Sequence, residues 1–323
     1  MSDDFKTIDD LNLTSIHIDE NVKKEYSNRI KEKLSTNIRC KSKINPLLKD
    51  EDTFNNSIAD IDEYLQDEEI CSLCVNGLKE CPKKIKGYIL NPKFDEYFNR
   101  IAMDKVPCKY LVDKLKALDK ITPCNVSKEY IYQTSSQLLK NIQTTDGDKT
   151  YKDSKTLVYT ILKLYKQFSI EKKNQGIVFY SINDDHLASN ILRFACYLFA
   201  SKGYRCSYIR LEDLFDNLKD FEYVVKDNAE HDLRIMASVP VLCLEDINLL
   251  QKRFYKEEMF VKYLYPLIKA RNENGKITFA SLSQDKTVSQ VSNSWFYKMD
   301  QQADATNIME NLFVKKKIKD III

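Results

Sequence analysis

Gly176-Ile177-Val178-Phe179-Tyr180, then Ser181-Ile182-Asn183-Asp184-Asp185-His186-Leu187-Ala188, then Ser189-Asn190-Ile191-Leu192-Arg193-Phe194-Ala195-Cys196-Tyr197-Leu198-Phe199-Ala200-Ser201-Lys202-Gly203 is the stretch that decides the fold. The first piece is a short continuous apolar run, the signature of a buried strand. The last piece is an amphipathic helix that closes on a C-cap glycine. A tight loop joining such a strand to such a helix is the framework of a phosphate-binding unit, whose loop reads G-x-x-x-x-G-K-[ST]. Here Ser181 and Leu187 stand near the glycine positions, and Ala188 precedes Ser189 where the lysine belongs. The framework is kept and the phosphate-gripping residues are replaced.

Alternation continues on both sides of this unit. Ser154–Phe168 carries Leu157, Ile161, Leu162, Leu164, Tyr165 and Phe168 on one side of a helix. After Gly203, Arg205–Arg210 reads as a second strand and Leu211–Val225 as a helical stretch. Val239-Pro240-Val241-Leu242-Cys243-Leu244 is almost wholly apolar, as a central parallel strand covered on both faces must be. A helix over Met259–Arg271 and a strand over Ile277–Ser281 follow. Strands alternating with helices in this way predict an α/β domain built on a parallel sheet.

Composition bounds the rest. At 323 residues, two domains are the natural reading. The chain is 43% hydrophobic and 30% charged with a net charge of +2, which excludes a disordered or strongly basic protein. The first 125 residues carry 21 basic and 23 acidic side chains and the remainder 29 and 25, a mildly basic C-terminal part. No apolar run reaches the roughly 18 residues of a membrane span, and the acidic N-terminus has no signal-peptide core. A cytoplasmic protein without membrane contact is expected. Nine cysteines in that setting argue for free thiols or metal.

Residues 1–45 are polar, with one helix near Asn21–Leu34 whose apolar face is thin. A solvated arm is preferred there to a partner-docking helix. Cys71-x2-Cys74-x6-Cys81, with Cys108 beyond, has the donor type and the first turn of a tetrahedral zinc site. Cys124 competes with Cys108 as the fourth ligand. An iron–sulfur cluster and a set of reduced thiols in a small core are the alternatives. Four protein ligands would make the site structural. Cys40, Cys196, Cys206 and Cys243 are read as ordinary core cysteines.

Leu242-Cys243-Leu244-Glu245-Asp246-Ile247 ends an apolar strand in two carboxylates. Nucleotide hydrolases place a Mg²⁺-holding acid and a water-orienting partner at such a strand end. Acids also end strands as plain helix caps, so position carries the reading. This pair follows a strand–loop–helix unit of the matching kind.

Taken in order, the cysteine region, the G-I-V-F-Y unit ending S-K-G and V-P-V-L-C-L-E-D-I resemble the primosomal helicase loaders of the DnaI type, within the DnaC/IstB-like AAA+ family. The resemblance spans about residues 45–323 and includes Lys86-Gly87-Tyr88 and Val106-Pro107-Cys108-Lys109-Tyr110. Ile277–Ser281 resembles the family's sensor 1 strand, and Asn307–Asn311 its C-terminal arginine-bearing helix. The fold it implies is a P-loop-like AAA+ parallel sheet flanked by helices, preceded by a small, mainly helical zinc-binding domain. The corresponding division is a polar arm at 1–45, a zinc-binding helicase-interaction domain at 46–125, a linker at 126–150 and a degenerate AAA+ domain at 151–323.

The implied partner is the hexameric replicative helicase, with single-stranded DNA or a second copy of the chain held by the AAA+ body. Departures from the pattern bear on ATP. Ala188 replaces the lysine, Leu282 the sensor 1 asparagine, and Asn307 and Asn311 the arginines. Only Ser189, Glu245 and Asp246 keep nucleotide or Mg²⁺ roles. Asp184 and Asp185 would face a triphosphate, and two unit charges about 5 Å apart in an effective dielectric near 20 repel by roughly 3 kcal/mol. The expectation is a structural Zn²⁺, no ATP turnover and at most weak nucleotide binding. Two alternatives are carried with it: an active loader with an atypical loop, and a pseudo-ATPase that inhibits the helicase or its loader.

Overall fold

Apolar runs too short to tell strand from helix by period alone become a sheet once their neighbours are known. The computed structural model describes residues 20–74, 77–146, 154–170, 175–180, 187–219, 223–247, 260–282 and 312–317. The chain divides into two units, Met1–Val112 and Asp113–Ile323. Among the described residues no helix is long and apolar enough to cross a membrane.

The first unit is a helical layer with a hairpin laid on it. Its helices are α1 (Glu20–Thr36), α2 (Ile38–Ile44) and α3 (Glu51–Ser72). Asn37 caps α2 by accepting from the Cys40 N–H at 3.0 Å. Asp50 caps α3 by accepting from the Thr53 N–H at 2.7 Å, satisfying a donor the helix cannot satisfy itself. Strands β1 (Tyr88–Asp95) and β2 (Arg100–Pro107) pair antiparallel. The Ile101 N–H donates to Ser57 Oγ at 2.7 Å and the Leu90 N–H to Asp67 at 3.1 Å, which fastens both strands to α3.

Ile30, Leu34, Cys40 and Ile44 are buried with Phe54, Ile61, Tyr64, Leu65, Leu90 and Ile101 in one core. Residues 20–44 are therefore not a solvated arm. Two apolar positions one turn apart, Ile30 and Leu34, suffice because α3 offers them a wide apolar face. The hairpin adds strand to a region read as mainly helical. Pro92 hid it: proline argues against a strand, but it is tolerated where a strand has a free edge, as every strand of a two-stranded sheet does.

The second unit is a six-stranded, all-parallel sheet. After α4 (Lys109–Asp119), which straddles the boundary, come β3 (Ile121–Cys124), α5 (Lys128–Ile131), α6 (Ser135–Asp146) and α7 (Ser154–Ile170). Then follow β4 (Gly176–Tyr180), α8 (Leu187–Ser201), β5 (Cys206–Arg210), α9 (Leu211–Lys219), α10 (Tyr223–Ser238) and β6 (Val241–Glu245). A π-helical turn at Phe260–Leu264, α11 (Tyr265–Glu273), β7 (Ile277–Ser281) and β8 (Phe313–Lys317) complete it. Strand order is β3-β5-β6-β7-β4-β8. A parallel sheet flanked by helices is the α/β architecture that the alternation of strands and helices predicts. The sequence-based boundary at residue 125 falls inside this unit, because Ile121–Cys124 is its edge strand.

Period-2 alternation sorts the strand side chains onto two faces. Ile177, Phe179, Cys206, Tyr208, Val241, Cys243, Ile277 and Phe279 pack with α6, α7 and α8. Val178, Ile209, Leu242, Leu244 and Ala280 pack with α9, α10 and α11. A Cβ on Gly176 would come within 2.7 Å of Thr278 O and of the Phe313 ring, so only glycine lets β4 and its neighbours close. Gly203, with φ of 91°, ends α8 as expected, and the Tyr204 N–H returns to Phe199 O at 3.1 Å.

Beneath this sheet lies a wholly buried guanidinium. Arg271 is 0% exposed. It donates to Thr278 Oγ1 at 3.0 Å, Ile277 O at 2.6 Å, Val239 O at 2.8 Å and Met236 O. Burial pulls its pKa down to about 10. Carbonyls at the end of α10 and the starts of β6 and β7 thus share one cation. Arg271→Met leaves them unpaired and should cost about 3–5 kcal/mol in denaturant unfolding of the full chain; a loss below about 1 kcal/mol would show that the carbonyls find other donors.

Candidate functional site

Connections leave β4 and β7 in opposite directions along the sheet: β4 leads through α8 to β5, and β7 leads to β8 on the far side of β4. Open parallel sheets bind ligands at such a reversal, outside the carboxyl ends of the strands. Residues Ser181, Asp184, Asp185 and His186 of the loop after β4 lie outside the described residues, as do Asn307 and Asn311. The loop's flank is described: the Leu282 N–H donates to Phe179 O at 3.0 Å.

Three sequence-predicted residues meet here. Ser189, in the first turn of α8, is buried and donates to Asp246 Oδ1 at 3.2 Å. Its Oγ lies 3.4 Å from the Ser281 hydroxyl. The Asp246 N–H donates to Ser281 Oγ at 3.0 Å, and the Ile247 N–H to Ser281 O at 3.0 Å. Asp246 has φ of 57°, a left-handed conformation that aspartate tolerates better than most residues. Burial, reinforced by neighbouring Glu245, raises its pKa from 3.8 to about 6 against the hydrogen bonds from the two serines.

Glu245 is 1% exposed. Its Oε1 accepts from the Tyr130 hydroxyl at 2.7 Å, and Oε2 faces Arg210 Nε at 3.4 Å. Parallel register puts Arg210, the last residue of β5, directly beside Glu245, the last of β6. Asn125 holds Arg210 there, accepting from its N–H and donating to its carbonyl, both at 2.8 Å. Tyr130, from α5, has two guanidiniums against its ring, with Arg193 Cζ 4.0 Å and Arg210 Cζ 5.4 Å from the ring centroid. Burial and then Glu245 push the Tyr130 phenol up.

A Mg²⁺ ion drawn to Glu245 would meet a carboxylate already neutralised by Arg210 and hydrogen-bonded by Tyr130. Oε2, the oxygen that faces Arg210, is buried and has no hydrogen-bond partner. Sequence reading found Ser189, Glu245 and Asp246; it missed Tyr130, Arg193, Arg210 and Ser281. Arg210 had no local signal, because its place beside Glu245 depends on β5 and β6 being neighbours. Tyr130 had none.

In the first unit, the three cysteine-bearing segments approach one another. The Cys108 N–H donates to Gly87 O at 2.7 Å. Gly87 lies against Leu78 and Leu111, and Gly77 against Tyr110. Among the described residues, however, no group of three or more His, Cys, Asp or Glu side chains is gathered so as to hold a metal ion. The donor chemistry suits zinc and the side-chain placement does not complete it. Cys124 belongs to β3 of the second unit, where its thiol donates to Val126 O at 3.1 Å.

No family model matches the chain, and no curated protein matches it. Solved structures do resemble it. A crystal structure of DnaI aligns with a TM-score of 0.44 at 17% identity, over 63% of this chain and 96% of that one. A putative primosome component from Streptococcus pyogenes serotype M3 gives 0.43 at 15%, over 62% and 94%. The DnaC helicase loader gives 0.32 at 20%, over 48% and 86%.

Two outcomes follow from the buried acids. Arg210→Met strands the Glu245 carboxylate and should cost about 3–5 kcal/mol, while Arg210→Met with Glu245→Gln should recover most of it; an additive cycle would deny the pairing. Asp246 contributes stability that is complete below its ordinary pKa and lost as pH rises through about 6. Wild type should therefore lose about 1 kcal/mol relative to Asp246→Asn between about pH 5 and 7; parallel pH profiles of unfolding would contradict the raised pKa.

Proposed function

We propose that this chain is a helicase-loader-like replication protein whose AAA+ body works by binding and not by turning over ATP. The first unit grips the hexameric replicative helicase, and the second holds single-stranded DNA or another copy of the chain. What supports the loss of hydrolysis is that Glu245, the acid at the position that holds Mg²⁺ in such folds, already faces Arg210 and accepts from Tyr130. The substitutions at Ala188, Leu282, Asn307 and Asn311 agree with it, since they remove the attractive partners of a triphosphate from separate segments. Cys71, Cys74, Cys81 and Cys108 are assigned to a structural zinc on donor type and spacing.

Asp246 supports a second reading. A carboxylate with a pKa of about 6 beside a serine hydroxyl is poised as a general base, as an active ATPase with an atypical loop would need.

Pull-down with the replicative helicase of the same organism, with and without ATP, tests the first reading. A complex indifferent to ATP is expected, and no complex would sink it. Saturable ATP hydrolysis abolished by Glu245→Gln would replace it with the second. Assays on a closed single-stranded circle then separate loading from inhibition. Metal analysis should find about one zinc per chain, lost in Cys71→Ser; a metal-free wild type would return the cysteines to plain thiols.

A further inference from the structure

The β1–β2 hairpin turns through Asp95-Glu96-Tyr97-Phe98-Asn99, and Tyr97 is 88% and Phe98 59% exposed. Single exposed apolar side chains are common and mean little. Two adjacent rings on a rigidly built turn are different. Asp95 Oδ1 accepts from the Tyr97 N–H at 3.0 Å and the Phe98 N–H at 3.3 Å. Asn99 turns the chain at φ of 42°. Its Oδ1 accepts from the Thr53 hydroxyl at 3.1 Å, and its carbonyl from Asn56 Nδ2 at 3.3 Å. Arg100 faces Asp60 at 4.0 Å. Helix α3 thus holds the base of the turn through Thr53, Asn56 and Asp60.

Above that base the rings pack edge to face, with centroids 4.8 Å apart, and Arg100 Cζ lies 5.3 Å from the centre of Phe98. Aromatic anchors fixed before binding lose little entropy on docking, and such residues dominate interface energetics. The charge around them selects the occupant. The segment Asp95–Phe98 carries two carboxylates and no cation. Flanking Lys93 and Arg100 are engaged by Asp104 and Asp60. A nucleic-acid strand needs uncommitted cations for its phosphates, and this tip offers it acids.

We propose that Tyr97 and Phe98 anchor the first unit in an apolar pocket on a protein partner, with a basic rim opposite exposed Glu96. Resting on the loader reading above, that partner is the replicative helicase. The test is binding of the full chain to the helicase by calorimetry. Tyr97→Ala with Phe98→Ala should weaken binding about 100-fold or more without lowering the melting temperature. Ile38→Ala, at another exposed apolar position of the same unit, should leave binding unchanged. Glu96→Lys should weaken it about tenfold, and an unchanged affinity there would remove the basic rim.

If the double variant binds as wild type does, the anchor is wrong and the loader reading survives. If wild type itself fails to bind, the loader reading falls and takes this partner with it. An oligothymidylate titrated by anisotropy supplies the remaining arm: affinity lost there, with helicase binding intact, would overturn the protein pocket in favour of base stacking.

Discussion

The second unit is organised around a carboxylate that water cannot reach. Glu245 ends the central strand β6 almost fully buried, and a buried charge costs several kcal/mol unless it is paired and hydrogen-bonded. Arg210 answers it from the next strand, and Tyr130 from α5 on the edge side of the sheet. Asn125, just past β3, fixes Arg210 by its backbone. The edge strand and the helix after it are thus tied to the strand ends through one acid.

Strand β6 runs between two buried charges of opposite sign. At its start the guanidinium of Arg271 serves the carbonyls of Val239 and Ile277. At its end stand Glu245 and Asp246. Neither charge rests on hydrophobic burial, yet both need it, because exclusion of water is what strengthens these contacts. Between them Val241 to Leu244 supply the apolar faces on which both helix layers pack. Asp246 differs from Glu245 in its partners. Burial and the neighbouring Glu245 charge raise its pKa, and the hydroxyls of Ser189 and Ser281 and the more distant Arg210 offset this only in part.

Legibility followed the position of each strand. The central strands β4, β5, β6 and β7 were readable because both of their faces are covered and most of their residues are apolar. The edge strands were not. β3 contains Pro123, and β8 reads Phe313-Val314-Lys315-Lys316-Lys317, which as a sequence is a basic run. An edge needs fewer apolar contacts and tolerates proline and lysine. In the first unit, α1 was visible as a helix while its burial was not, since Ile30 and Leu34 are a thin stripe until Ile61 and Tyr64 of α3 are set beside them.

What the sequence determined by itself is therefore the succession of elements, the faces of the central strands, and the loss of lysine and glycine from the loop after β4. These depend on local period and residue type, which are written along the chain. Only the tertiary structure decided which groups satisfy the buried acids. Tyr130 and Glu245 are 115 residues apart, and Arg210 meets Glu245 only because β5 and β6 are neighbours in register. Strand order is a property of the whole sheet, set by crossovers and packing, and no local pattern encodes it.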